Sequence, residues 1–369
     1  MGDNKLMCAV CLLIINIVTV SAQSQQLCND TQCVPATTCA AVLNILKKQP
    51  VPPETRAYLR QLQCNLESSI PHVCCPTEDS RIKTEENELN LLLPGKDICG
   101  ITYNSRIVGG ETTDIGEFPW AVLIEYEKPG GKSIFNCGGS LINNRYVLTA
   151  AHCITNIPPE MKLKSVRLGE HTISEEIDCE GLMASEYCAD RPVDLGIEEQ
   201  IVHEMYHPRN RNHAYDIALL RLKENVTFTD FIKPVCLPIS IDFEKSLSYT
   251  NNRLTVVGWG VTENNTESDV KLKTEVPLVP NSKCFPIYKE KLNVQLEDSQ
   301  LCAGGVPGKD SCRGDSGGPL MIVDVTPTQQ SWSLIGIVSF GVGCAVQEFP
   351  SVYTKVKNYN QWIVDNIKP

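Results

Sequence analysis

Between residues 107 and 369, apolar residues come in short runs broken by glycine, proline and small polar residues. That is the pattern of short strands joined by turns. Val147-Leu148-Thr149-Ala150-Ala151 is one such run, and Ile217-Ala218-Leu219-Leu220 is another. A helical period first becomes obvious at Asn358–Lys368, where Tyr359, Trp362, Ile363 and Ile367 share one face. These patterns predict a mostly β domain closed by a terminal helix. Ahead of it the pattern changes three times. Met1–Ala22 carries Lys5, an apolar run from Leu6 to Val20, and small residues at Ser21 and Ala22, which reads as a secretory signal peptide. Residues 28–75 hold two short helical stretches, Ala40–Lys48 and Glu54–Gln63, broken by Pro50, Pro52 and Pro53. After Pro76, Glu78–Glu88 is polar and charged with little to bury, and predicts a flexible linker. The organisation expected is therefore a leader at 1–22, a small unit at 28–75, a linker and activation region at 76–106, and a large domain at 107–369.

Composition narrows the setting. No stretch after the leader is long and apolar enough for a membrane helix, so a secreted, extracellular protein is expected. The net charge of −11, with no long basic run, argues against nucleic acid and anionic membranes as partners. Of the 18 cysteines, Cys8 and Cys11 leave with the leader, so 16 remain, an even number suited to disulfides in an oxidising compartment. Asn29, Asn225 and Asn264 each head an Asn-x-Ser/Thr glycosylation acceptor. Six cysteines crowd into 28–75, a unit too small to hold itself together by apolar burial alone. The neighbours Cys74 and Cys75 should each reach a distant partner, and spacing alone does not choose among the pairings.

Candidate chemistry centres on Asp310-Ser311-Cys312-Arg313-Gly314-Asp315-Ser316-Gly317-Gly318-Pro319. A serine is a poor nucleophile unless a base takes its proton and donors hold the oxyanion that forms. Glycines around Ser316 allow a sharp turn in which the N–H groups of Gly314 and Ser316 face one oxyanion. His152, after the run ending Ala150-Ala151, is the candidate base, and Asp216, ahead of an apolar strand, the candidate orienting acid. The chain order His, Asp, Ser is one of the known orders of the serine-protease triad. This chemistry needs no cofactor. Ser105-Arg106-Ile107-Val108-Gly109-Gly110 reads as an exposed cleavage site. Once it is cut, the Ile107 ammonium can enter the domain and pair with Asp315.

On these residues, 107–369 resembles the trypsin-like serine proteases, and 28–75 resembles the clip domain of arthropod protease zymogens. The resemblance implies two Greek-key β-barrels with the site between them. It also implies the pairs Cys28–Cys74, Cys33–Cys64, Cys39–Cys75, Cys99–Cys236, Cys137–Cys153, Cys284–Cys302 and Cys312–Cys344, which leaves Cys179 to Cys188. Asp310 would floor a pocket for Arg or Lys, walled by Ser339 and Gly341. Ser351 stands where trypsins usually have glycine and should narrow that pocket. The acidic stretch Glu170–Asp178 resembles a calcium-binding loop, with side chains from Glu170 and Asp178 and backbone oxygens from Thr172 and Glu175. The implied function is a secreted zymogen of a haemolymph cascade that activates prophenoloxidase or a Toll-ligand precursor. Its expected partners are an upstream protease, a proprotein substrate and a serpin inhibitor. The competing reading is a weak or inactive homologue acting as a cascade cofactor, against which the complete His152, Asp216 and Ser316 set argues.

Overall fold

The computed structural model describes residues 33–39, 42–43, 62–64, 71–75, 92–102, 111–180, 187–239, 243–261, 266–306, 311–325, 330–343, 346 and 348–369. The leader, Cys28, Asn29, most of the two short helices, the 78–88 linker, Arg106, Ile107, Asn264, Asp310 and Cys344 lie outside these residues. The chain divides into two compact units, Met1–Leu89 and Asn90–Pro369.

The first unit has three short strands, β1 (Cys33–Pro35), β2 (Gln63–Cys64) and β3 (His72–Cys74), paired in the order β1-β3-β2. Its described core is only Ala36, Cys39, Val42 and Val73, flanked by Val34, Leu62 and Cys75. So thin a core needs staples, and the bonds Cys33–Cys64 and Cys39–Cys75 supply them. Each is worth roughly 2–4 kcal/mol through its constraint on the unfolded chain. Cys74 is disulfide-bonded as well.

In the second unit, β4 (Glu111–Thr112) precedes β5 (Ala121–Glu127), β6 (Ser133–Leu141), β7 (Tyr146–Thr149) and β8 (Lys162–Leu168). A small ribbon follows, β9 (Cys179–Glu180) with β10 (Tyr187–Cys188), joined by the Cys179–Cys188 bond. Then come β11 (Val193–Val202) and β12 (Ala218–Leu222), and the order β11-β12-β7-β6-β5-β8 closes the first barrel. The second is built from β13 (Arg253–Gly258), β14 (Leu272–Val279), β15 (Gln300–Ala303), β16 (Pro319–Val325), β17 (Gln330–Phe340) and β18 (Ser351–Lys355). Their order is β13-β16-β17-β18-β15-β14, with β4 at the edge, and β13 pairs back to β14 to close the sheet. Inside it Leu254, Val256, Val276, Leu320, Ile322, Ile335 and Tyr353 form one buried cluster. The mostly β, two-barrel architecture is the one expected.

Among the described residues of this unit, α-helices form at α1 (His152–Thr155), α2 (Phe243–Tyr249), α3 (Asn281–Leu292) and α4 (Asn360–Asn366). The terminal helix is shorter than the expected Asn358–Lys368, because its start is wound as a 3₁₀ turn over Val356–Tyr359. Of the face foreseen, Tyr359, Ile363 and Ile367 are buried, while Trp362 is only half-buried and donates its Nε1–H to Glu204. The sequence pattern does not reveal α3, which carries Pro286 in its interior. Packing overrides that penalty: Cys284 and Tyr288, one turn apart, are fully buried, and Cys284 bonds to Cys302. Residues 92–102 lie against the domain, with Leu93 and Cys99 buried and Cys99 bonded to Cys236.

The barrels meet at the backbone around Ser316. The Gly138 N–H donates to the Ser316 carbonyl at 2.7 Å, joining the first barrel to the second. Gly317 has φ +78°, and a Cβ on it would lie 2.2 Å from Thr149 Oγ1 and 2.5 Å from the Gly138 carbonyl. Gly317→Ala should therefore destabilise the fold by at least roughly 1–3 kcal/mol and depress activity with it. A denaturant melt of the variant superimposing on that of the wild type would refute this account of the junction.

Candidate active site

Strand register brings the base and the acid together. β7 and β12 run antiparallel with Thr149 opposite Ala218, so the residues just past the end of β7 face those just before β12. Ala150 and Ala151 are fully buried, and small side chains there let the backbone carry His152 close to Asp216. His152 Nδ1 lies 2.8 Å from Asp216 Oδ2, and the His152 N–H donates to Oδ1 at 2.9 Å. Two residues of the second barrel complete the seat. Ser339 Oγ donates to Oδ2, and Thr354 Oγ1 donates to the Asp216 carbonyl at 2.7 Å.

These contacts decide the charges. Burial alone would push the Asp216 carboxyl up, but the His152 charge and the hydrogen bonds from His152 and Ser339 hold it below its ordinary value. Burial pulls His152 down, and the Asp216 charge and hydrogen bond outweigh it, so the imidazole is a stronger base than usual. Such a pair can take a proton from a hydroxyl and hold it as imidazolium. His152, Gly314 and Ser316 line one cleft of about 150 Å³ together with Tyr126, Cys153 and Arg313. Gly314 has φ +99°, which glycine accepts readily. Among the described residues, neither the Gly314 nor the Ser316 N–H donates to a protein acceptor, so both remain available to an oxyanion.

Asp315, beside the nucleophile, shows the opposite shift. Its carboxyl is enclosed by protein, and that loss of solvation pushes its pKa up to about 6. It accepts N–H bonds from Cys312 and Gly260, each at 2.9 Å, and no cation among the described residues partners it. Gly258 and Gly260 make room for it: a Cβ on either would lie 2.1 Å and 2.4 Å from its oxygens. Sequence reasoning missed this cradle, although two glycines around Trp259 at the end of an apolar strand were its available signal.

Other expectations are met by different contacts. Ser339, expected at the specificity pocket, turns its hydroxyl to Asp216, so its side chain serves the triad. Ser351 is buried and faces Gly341, where a Cβ would lie 2.9 Å from its Oγ. Ser311, next to Asp310, is buried and 3.1 Å from the Tyr353 hydroxyl. A second histidine, His213, also missed, sits edge-on to His152 with ring centroids 6.2 Å apart and stacks on Phe340 at 4.8 Å. Cys137 pairs with Cys153, Cys312 is disulfide-bonded, and Asn225 is exposed.

The expected calcium ligands point elsewhere. Glu170 Oε1 accepts the His171 N–H at 2.9 Å, and Oε2 accepts from Arg167 at 3.2 Å. Asp178 Oδ2 accepts the Thr172 N–H at 3.3 Å, while Oδ1 lies 3.4 Å from His171 Nδ1. The Thr172 carbonyl accepts the Glu175 N–H at 2.9 Å. With three of the four carboxylate oxygens accepting hydrogen bonds inside the chain and the fourth turned to His171, these residues do not fit a calcium cage as they stand.

A base, an orienting carboxylate and a serine in a cleft between two β-barrels define the class: a serine endopeptidase of the two-barrel kind. Comparison with known proteins gives the family. Residues 107–363 match the Trypsin family, and residues 28–75 match the Regulatory CLIP domain of proteinases. CLIP domain-containing serine protease B4 of Anopheles gambiae is 41% identical over 337 residues, covering 91% of this chain and 89% of that protein. The Spaetzle-processing enzyme of Drosophila melanogaster is 37% identical, covering 95% and 92%. Melanization protease 1 of the same fly is 37% identical, covering 92% and 91%. The crystal structure of the Drosophila Grass clip serine protease of the Toll pathway aligns with a TM-score of 0.66 at 36% identity, covering 91% of this chain and 94% of that one. The chain belongs to the clip-domain serine proteases of the trypsin family, and it is a trypsin-like serine endopeptidase.

Asp216→Asn should lower kcat/KM on the order of 10⁴-fold. The acid limb of the residual pH profile should move to lower pH, since burial then acts on His152 unopposed. A variant with an unmoved limb and a near-normal rate would remove Asp216 from the triad.

Proposed function

We propose that this protein is a secreted zymogen that is cut after Arg106 and then cleaves after Arg or Lys in a downstream proprotein of an arthropod haemolymph cascade. The observation that carries the activation step is the cation-free setting of Asp315 among the described residues, next to Ser316. A carboxylate largely enclosed by protein without a counter-charge is costly, and a new ammonium at Ile107 is the charge that would relieve it. The Cys99–Cys236 bond spans the proposed cut, so it would keep the clip-bearing segment attached afterwards. Relatives named Melanization protease 1 and Spaetzle-processing enzyme support a role in such a cascade. An upstream trypsin-like protease would make the cut, and a serpin would end the activity.

The setting of Asp315 yields a pH test. Its pKa in the uncut fold, about 6, lies above its ordinary 3.8. The carboxyl therefore contributes stability fully present below about pH 4 and lost as pH rises through about 6, at most ~3 kcal/mol. Uncut wild type should lose melting temperature across that window relative to Asp315→Asn. After cleavage the order at neutral pH should reverse, because ionised Asp315 then has the Ile107 ammonium. Identical profiles for the two proteins before and after cleavage would refute the pairing.

Substrate is read directly by adding Arg106-cleaved protein to haemolymph and sequencing the new N-termini. New ends following Arg or Lys in one or a few proproteins, absent with cleaved Ser316→Ala, are expected. Broad digestion, or the same ends with Ser316→Ala, would overturn the proposal.

A further inference from the structure

A buried lysine stands beside the loop where a divalent ion was expected. Lys271, just ahead of β14, is only 4% exposed. Its ammonium donates to the Glu170 carbonyl at 3.3 Å and lies 5.7 Å from the centre of the Trp259 ring. The carboxylates of Glu117, Glu170 and Asp178 lie near enough to act on its charge. Glu170 and Asp178 are the two carboxylates of the expected metal site.

We propose that Lys271 is the structural cation of the 170–178 loop, supplying from within the chain the positive charge that calcium would otherwise bring. The backbone around it is arranged accordingly. The Lys271 N–H donates to the His171 carbonyl at 2.8 Å, the Ile173 N–H donates to the Asp269 carbonyl at 2.8 Å, and Thr172 pairs with Val270 in an isolated β-bridge. The loop is thus zipped along residues 269–271, which carries the ammonium under it. The same lysine joins two segments of the activation machinery. Its carbonyl accepts the Thr113 N–H at 3.0 Å and Thr113 Oγ1 at 3.2 Å, shortly after the proposed cleavage site. Trp259, under the ammonium, donates from Nε1 to the His171 carbonyl at 3.0 Å, and its flanking glycines cradle Asp315. A covalently attached cation is present at every calcium concentration, so loop order is independent of the ion. This inference stands on the loop geometry and does not depend on the proposed substrate or cascade.

The test uses the full-length protein, uncut and cleaved. Melting temperature and the rate of proteolytic cutting within 170–178 are measured in millimolar calcium, in millimolar magnesium as a charge control, and in EDTA. Wild type should give the same values in all three. Lys271→Ala should melt lower and be cut several-fold faster in EDTA, with calcium, and not magnesium, restoring both. A calcium-specific rise in the wild-type melting temperature overturns the proposal, as does a Lys271→Ala protein indifferent to calcium. Should that variant fail to fold, isothermal titration of wild type with calcium decides alone: no binding heat supports the proposal, and stoichiometric binding overturns it.

Discussion

The fully buried carboxylate of Asp216 is the constraint on which the active site depends. An unpaired charge at zero exposure would cost several kcal/mol, so the fold must bring donors to it from wherever the chain can supply them. His152 gives two from the first barrel; Ser339 and Thr354 give two from β17 and β18 of the second. Satisfying one anion therefore ties both barrels at the cleft and fixes the imidazole tautomer that catalysis needs. Aromatic packing supports the same spot: His203 stacks between Tyr215 and Trp362 at 5.0 and 5.1 Å, linking α4 to the residue before Asp216.

Two carboxylates in one site are pushed in opposite directions. Asp216 is held ionised by a cationic partner and a hydroxyl, whereas Asp315 has only backbone N–H donors and is raised to about 6. The difference is one of partners, since burial acts upward on both. Environments that separate like groups in this way fit different roles: one carboxylate orients the imidazole, and the other is left without a counter-charge among the described residues. Lys271 is a third buried ionisable group, seated against the loop and against Trp259.

Close backbone approach is the second physical theme. Gly138, Gly258, Gly260 and Gly317 stand where a Cβ would meet backbone or carboxylate atoms at 3.3 Å or less. Around Ser316 main chain packs closely against main chain and short polar side chains, leaving no room for a Cβ at these glycines.

The sequence by itself marks the candidate nucleophile, base and acid, because each sits in a short local motif whose residue types the chemistry demands. Its motifs, by their family resemblance, implied the two-barrel class; its pattern implied the burial of Tyr359, Ile363 and Ile367; and its even cysteine number suits the disulfides seen among the described residues. Only the tertiary structure decided that Ser339 serves Asp216, that Gly258 and Gly260 seat Asp315, that α3 forms despite Pro286, and that Lys271 lies under the acidic loop. Local patterns report what a residue can do within a few neighbours. Each of these outcomes instead rests on burial and on contacts between segments far apart in sequence, whose energies exceed the local preferences of the residues involved.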